Sequence, residues 1–225
     1  MVDFSKFEVL SFDCYGTLID WECGILNAIR PVLFRHGVAA NDAEILELYA
    51  QLEAQAENGS YIRYRQVLRR VMQGFGEKLK FAPNEEEVNA LPDSMKNWMP
   101  FPDTVEALQK LKAKYKLAII SNTDDDLFAE TAKHLKVEFD WVITAEQVKS
   151  YKPSLNNFKQ AIHRIGLGPD KILHVAQSVY HDIIPAKSLG LATVLVRRRG
   201  AGATLPAEGR PDLEVPDLKT LAAMI

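Results

Sequence analysis

The sequence predicts an α/β fold in which a parallel sheet is covered by helices on both faces and a helical domain is inserted after the first strand. Three features carry this expectation. Short apolar runs alternate with stretches of helical periodicity from about residue 104 to residue 196, as parallel strands joined by crossover helices require. A further apolar run, Phe7 to Phe12, lies near the N-terminus. Between Asp20 and Trp98 nothing reads as a strand.

The elements follow in order. Phe7 to Phe12 reads as a buried strand that stops at Asp13, after which Gly16 and Thr17 break the pattern. From Trp21 apolar residues recur at helical steps (Ile25, Ile29, Val32, Leu33) until Gly37. Asn41 or Asp42 caps a second amphipathic helix that runs to Glu57 and stops at Asn58-Gly59. A third helix is expected from Tyr61 to about Leu79 and a weaker fourth from Glu85 to Lys96. Met99-Pro100-Phe101-Pro102-Asp103 then punctuates the chain, because proline lacks a donor and biases its predecessor away from helix. Beyond it come a helix from Thr104 to Tyr115, a strand from Leu117 to Ser121, a helix from Asp124 to Leu135 and a strand from Trp141 to Thr144. The pattern closes with a helix from Asn156 to Ile165, a strand from Ile172 to Ala176, a helix from Ile184 to Leu189 and a strand from Ala192 to Val196.

Composition narrows the function classes. A chain of 225 residues with 47% hydrophobic and 25% charged content holds one substantial core plus a smaller inserted unit. The net charge of -3, with lysines and arginines dispersed, gives no footprint for nucleic acid. Arg197-Arg198-Arg199 is expected to be a solvated loop. Cys14 and Cys23 are too few for a disulfide framework or a metal cage, and no leader or membrane-length apolar run is evident, so the expected home is the cytoplasm.

Polar residues follow directly on apolar runs at four places: Asp13, Ser121-Asn122, Lys152 somewhat beyond Thr144, and Ser178 with Asp182. Singly, each has a plainer reading as a helix cap, a turn residue or a solvated lysine. Together, at strand carboxyl ends, they mark the edge where ligands bind in open α/β sheets.

In that order these residues resemble the four motifs of the haloacid dehalogenase superfamily, with Asp13-Cys14-Tyr15-Gly16-Thr17-Leu18 standing as the nucleophile loop. The resemblance runs from about residue 7 to residue 197. It implies a Rossmann-like core over residues 1–19 and 99–225 and a helical cap domain over 20–98. The stretch Phe12 to Trp21 and Tyr151-Lys152-Pro153 are similar, more narrowly, to the branch that includes the L-2-haloacid dehalogenases. The roles implied are a nucleophilic Asp13 that forms an ester, and a Lys152 whose charge offsets repulsion between Asp13 and an acidic substrate. Ser121 and Asn122, with backbone N–H groups of the Cys14 loop and with Ser178 nearby, would hold the substrate carboxylate. Thr17 would hydrogen-bond Asp13, Tyr15 and Trp21 would wall the pocket, and Asp182 would serve the water that cleaves the ester.

The chain also departs from the family's patterns. Superfamily phosphatases carry a second Asp where Tyr15 stands and paired acids where Gln177 opens the last motif, so neither a metal nor another cofactor is expected, and His181 has no companion at ligand spacing. Dehalogenases carry a halide-cradling Arg on the first long cap helix, whereas Asn41 to Glu57 contains no Arg or Lys and Ala50 takes the place; Gln177 and Val179 replace their Ser and Asn. Arg63 and Arg65 lie on the next helix. In these respects the chain is more similar to a branch that includes a hydrolase opening the ring of L-azetidine-2-carboxylate. The expected function is a metal-independent hydrolase acting through an Asp13 ester on a small 2-substituted carboxylic acid, by azetidine ring opening or dehalogenation. The alternatives are a phosphatase of the superfamily and a catalytically idle binding module. The expected partner is the small acid alone, with no nucleic acid or membrane, and the assembly a homodimer.

Overall fold

A computed structural model describes residues 2–198, 200, 202–203 and 207–225. Six parallel strands lie in the order β3-β2-β1-β4-β5-β6: β1 (Val9–Phe12), β2 (Lys116–Ser121), β3 (Trp141–Thr144), β4 (Ile172–Ala176), β5 (Ala192–Val196) and β6 (Leu213–Val215). Apart from the edge strands and Lys116 and Ala192, their residues are buried, which is why the runs read as continuously apolar rather than alternating. The order reverses at β1. Chain segments after β1 build one side of the sheet and those after β4 the other, so a crevice opens between the carboxyl ends of β1 and β4. Phe12 pairs with Ile119 and Val175, while β2 runs on to Ser121, which brings that serine up beside the end of β1.

Between β1 and the core helix α6 (Thr104–Lys112) the described chain is helical: α1 (Trp21–Arg35), α2 (Asp42–Glu57), α3 (Tyr64–Leu79), α4 (Glu85–Val88) and α5 (Ala90–Ser94). Asn41 and Glu44 form a reciprocal capping box at the start of α2. Two boundaries within this block differ from the sequence reading. The third helix starts at Tyr64 because Asp124, in the loop after β2, accepts the Tyr64 and Arg65 N–H groups at 2.9 Å each, and Tyr151 Oη donates to the Ile62 carbonyl at 2.8 Å. The fourth is broken, since Pro92 cannot donate to the Val88 carbonyl as a continuous helix would require. At the junction with the core, a Cβ on Gly24 would stand 2.5 Å from the Trp98 indole, so the close helix–indole contact requires glycine.

The core continues with α7 (Asp125–Leu135), α8 (Ala145–Val148), α9 (Leu155–Ile165), a π-helical turn at Val179–Ile183, α10 (Ile184–Ser188) and α11 (Leu218–Met224). The reading of Arg197-Arg198-Arg199 as solvated is corrected for Arg198; Arg199 lies outside the described residues. The Arg198 side chain is 6% exposed, donates to Asp103 Oδ1 at 2.7 Å and to the Thr17 carbonyl at 3.0 Å, and lies 4.1 Å over the Phe101 ring. Asp103 Oδ2 also accepts the Leu218 N–H at 2.7 Å, so one buried pair ties the loop after β1, α6 and α11. Arg197, by contrast, is 64% exposed beside Glu214. Arg198→Ala should therefore cost about 3 kcal/mol by stranding Asp103, seen as a drop of at least about 6 °C in Tm, whereas Arg197→Ala should stay within about 0.5 kcal/mol. Equal, small effects in thermal unfolding would return Arg198 to the surface.

Candidate active site

Asp13 is the first residue beyond β1. Its N–H donates to the Val175 carbonyl at 3.2 Å, which extends the β1–β4 ladder by one bond and fixes the carboxylate at the crevice. The loop then folds back on itself, with the Cys14 carbonyl accepting the Thr17, Leu18 and Ile19 N–H groups at 3.3, 2.7 and 3.0 Å, and Gly16 turning at φ +90. This turn delivers Thr17 to Asp13, where its Oγ1 donates to Oδ2 at 2.6 Å while accepting the Gln177 N–H at 2.9 Å. Thr17 thus couples the loops after β1 and β4.

Lys152 sits opposite and is 2% exposed. Its ammonium donates to Asp13 Oδ1 at 2.8 Å, Asp182 Oδ1 at 2.6 Å and the Ile120 carbonyl at 2.9 Å, which uses all three of its protons. Burial alone would lower its pKa, but Asp13 and Asp182 raise it. Asp182 is held down at about 2, since Lys152 and His174 outweigh its burial. Burial pushes the Asp13 carboxyl up, with Lys152 opposing and Asp182 adding to the rise. Asp182 is therefore the firmly ionised carboxylate of the pair.

A small cavity of about 40 Å³ is lined by Asp13, Tyr15, Trp21, Ser121, Asn122, Lys152, Gln177, Ser178, His181 and Asp182, and on the helical side by Glu53, Glu57 and Tyr64. It adjoins a chamber of about 400 Å³ with which it shares Glu53, Glu57, Lys152 and His181. Two buried polar atoms in the small cavity's lining residues have no hydrogen-bond partner, Ser121 Oγ and Asp182 Oδ2. Such orphans are costly unless something polar occupies the cavity. His181 is held neutral at ordinary pH, its pKa lowered by burial to about 4.

The residues singled out in the sequence do not all stand as expected. Asp13, Tyr15, Thr17, Trp21, Ser121, Asn122, Lys152, Ser178 and Asp182 converge, but the Cys14 side chain points into the apolar core, leaving only its backbone in the loop. Tyr15 shares a hydrogen bond with Thr131 at 2.8 Å and meets Trp98 edge-on, and Trp21 meets Tyr49 likewise. The Asn122 side chain, expected on a carboxylate, instead brackets Lys152, donating to its carbonyl at 3.0 Å and accepting its N–H at 2.7 Å. Ser178 Oγ accepts the His181 N–H at 3.0 Å and so caps the turn that carries Asp182. Arg63 is drawn to Asp124, Asp126 and Glu146, and Arg65 to Asp93 and Asp126; neither lines the cavity.

Two positions escaped sequence reasoning. His174 lies fully buried in β4, opposite Ser11 of β1, with Nδ1 2.9 Å from Ser11 Oγ and Nε2 3.0 Å from Asp182 Oδ1. The signal was a polar residue interrupting each of two apolar strands, since buried polar side chains need partners. Glu53, 8% exposed on α2, accepts Tyr49 Oη at 2.9 Å and Tyr64 Oη at 2.5 Å. No group of three or more His, Cys, Asp or Glu among the described residues is arranged to hold a metal ion, and no helix among them is long and apolar enough to cross a membrane.

Residues 7–190 match the family model described as haloacid dehalogenase-like hydrolase. The chain is 29% identical over 199 residues to (S)-2-haloacid dehalogenase 4A of Burkholderia cepacia, covering 84% of this chain and 82% of that protein. It is 37% identical over 102 residues, 43% of this chain and 44% of the other, to a glyceraldehyde 3-phosphate phosphatase of Methanocaldococcus jannaschii. The fold is similar to that of the L-2-haloacid dehalogenase of Xanthobacter autotrophicus with chloropropionic acid covalently bound, at a TM-score of 0.81 and 21% identity over 97% of this chain and 98% of that one.

Removing the ammonium tests the charge balance. Lys152→Met leaves two buried carboxylates facing each other, a loss of about 3–5 kcal/mol at pH 8. Without the cation both carboxyls rise above their unfolded values, so the fold binds protons more tightly than the unfolded chain does and the deficit shrinks as pH falls. The gap in Tm between wild type and Lys152→Met should therefore narrow from pH 8 to pH 5. A gap independent of pH would show that the carboxylates are neutralised by some other means.

Proposed function

This chain belongs to the haloacid dehalogenase-like hydrolase family, and from that premise we propose that it hydrolyses a small 2-substituted carboxylic acid through an ester on Asp13. The observation that carries the reading is the Lys152 ammonium shared between Asp13 and Asp182 at 2.8 and 2.6 Å, beside the orphaned Ser121 Oγ and Asp182 Oδ2. One Asp13 oxygen attacks C2, the bond from C2 to the leaving group breaks with its electron pair, and the ester forms. Water then attacks the ester carbonyl. Its proton passes to Asp182, the 2-hydroxy acid departs with the oxygen that came from Asp13, and the carboxylate is restored with one oxygen from water. Lys152 lowers the repulsion between nucleophile and acidic substrate, Ser121 holds the substrate carboxylate, and His174 positions Asp182. Residues 20–98 act as the cap that shields the ester from bulk water, over a core of 1–19 and 99–225.

The leaving group divides the reading. A departing halide builds negative charge that a dry pocket must meet with a cation or donor. The helical wall offers Glu53, Glu57 and Tyr64, and Arg63 and Arg65 are engaged elsewhere. A strained ring amine stays tethered to the product and makes no such demand, which favours ring opening of L-azetidine-2-carboxylate or a similar acid. The second reading is dehalogenation of a 2-haloacid, favoured by the similarity to (S)-2-haloacid dehalogenase 4A. A phosphatase is disfavoured by Tyr15, which stands where those enzymes have an acid.

Single turnover in heavy-oxygen water should place label in the peptide containing Asp13, read by mass spectrometry, and Asp13→Asn should abolish turnover with its circular dichroism spectrum unchanged; label confined to the product would sink the ester. In side-by-side assays, kcat/KM for L-azetidine-2-carboxylate should exceed that for L-2-chloropropionate. Efficient chloride release without ring opening would establish the dehalogenase reading.

A further inference from the structure

The inner cavity is electrically polarised. At the sheet end stands the Lys152 ammonium; facing it across the cavity, α2 and α3 present Glu53, Glu57 and Tyr64. Tyr49, Glu53 and Glu57 recur at four-residue steps on α2 and so share one face. Glu53 is fixed by two tyrosine O–H donors on the same oxygen, Oε1, and the two hydroxyls are themselves 3.1 Å apart. Among the described residues Glu53 and Glu57 take part in no ion pair, and Glu53 Oε2 makes no hydrogen bond. Burial pushes Glu53 up to about 7, with Tyr64 and then Tyr49 pulling it down. A buried acid of fixed orientation, with one oxygen free of hydrogen bonds and no ion-pair partner among the described residues, is ready to receive a positively charged group. The unpartnered Ser121 Oγ in the same cavity points independently to a ligand there.

We infer that Glu53 receives a protonated nitrogen of the substrate, so that the site takes small zwitterionic acids: the carboxylate lies at Ser121, in the electrostatic field of Lys152, and the ammonium, borne on the leaving side of C2, lies at Glu53. The inference rests on the ester reading and assigns its substrate class. It also gives the helical wall a task. An anionic leaving group would be driven toward a carboxylate, whereas an ammonium nitrogen is held by one. Proton bookkeeping closes without Glu53 changing state: the ring nitrogen enters protonated and takes the C2–N electron pair as a neutral amine. The proton released when water cleaves the ester ends on that amine. Tyr49 and Tyr64 are positioning residues, since both act through Glu53.

Isothermal titration of the Asp13→Asn protein, which binds without turning over, separates charge from shape. L-azetidine-2-carboxylate should bind about tenfold or more tighter than cyclobutanecarboxylate, its uncharged-ring counterpart, because a charge-assisted hydrogen bond distinguishes them. Adding Glu53→Gln should reduce that ratio to about threefold or less while leaving cyclobutanecarboxylate affinity unchanged. Equal affinities with Glu53 in place, undetectable binding of the zwitterion, or a ratio that survives Glu53→Gln would each overturn the proposal. The ratio with Glu53 present stands as a test should Glu53→Gln unfold. Binding does not depend on the ester, so failure here with label in Asp13 condemns the substrate class alone, and a full ratio without label condemns the ester alone.

Discussion

The Lys152 ammonium, held between two buried carboxylates, is the interaction on which the rest of the site depends. Three separate strand ends, those of β1, β2 and β4, meet at that one nitrogen through Asp13, the Ile120 carbonyl and Asp182. Buried charges are tolerated only when paired and hydrogen-bonded, and here each member has supporting contacts: Thr17 on Asp13, His174 on Asp182, Asn122 on the Lys152 backbone. The supports in turn explain residues that would look idle. Ser11 faces His174, and Ser178 caps the turn that presents Asp182.

The sheet was legible in the sequence because buried parallel strands leave continuous apolar runs. Trp141–Thr144, Ile172–Ala176 and Ala192–Val196 stand where the runs placed them. β6 and α11 were not legible. Leu213-Glu214-Val215 is too short to carry a pattern, and β6 is an edge strand with one partner. Asp13, Lys152 and Asp182 could be named from chemistry that strand ends concentrate, yet their mutual distances could not. Arg198 was misread for a related reason: a run of arginines suggests solvent, and only tertiary contact with Asp103 and Phe101 reveals a buried member. Glu53 was hidden in a helix rich in acids, where nothing local separates a solvated carboxylate from one pinned by two tyrosines.

The two halves of the cavity are of different character. The sheet side is built from strand ends tied to one another through Lys152 and Thr17. The helical side has fewer fixed points, with Glu53 oriented by phenols and Glu57 at the last turn of α2. Chemistry shared across a family is expected on rigid elements, and discrimination among substrates on the surface laid over them. The roles proposed for Asp13 as nucleophile and Glu53 as the receiver of a substrate nitrogen follow that division.

The start of α3 has a bearing on modularity. Its first amides are satisfied by Asp124, which belongs to the loop after β2, and Arg63, just before the helix, also reaches that carboxylate. Within the block Gln66 Oε1 accepts the Arg63 N–H at 3.3 Å, but the Tyr64 and Arg65 amides rely on Asp124 for the acceptor that an N-cap side chain ordinarily supplies. Grafted onto another sheet, residues 64–79 would fray at their first turn unless the recipient placed an acid at the same spot. Recombination between relatives would have to carry both pieces together, making Asp124 a compatibility mark between segments that lie some sixty positions apart in the chain.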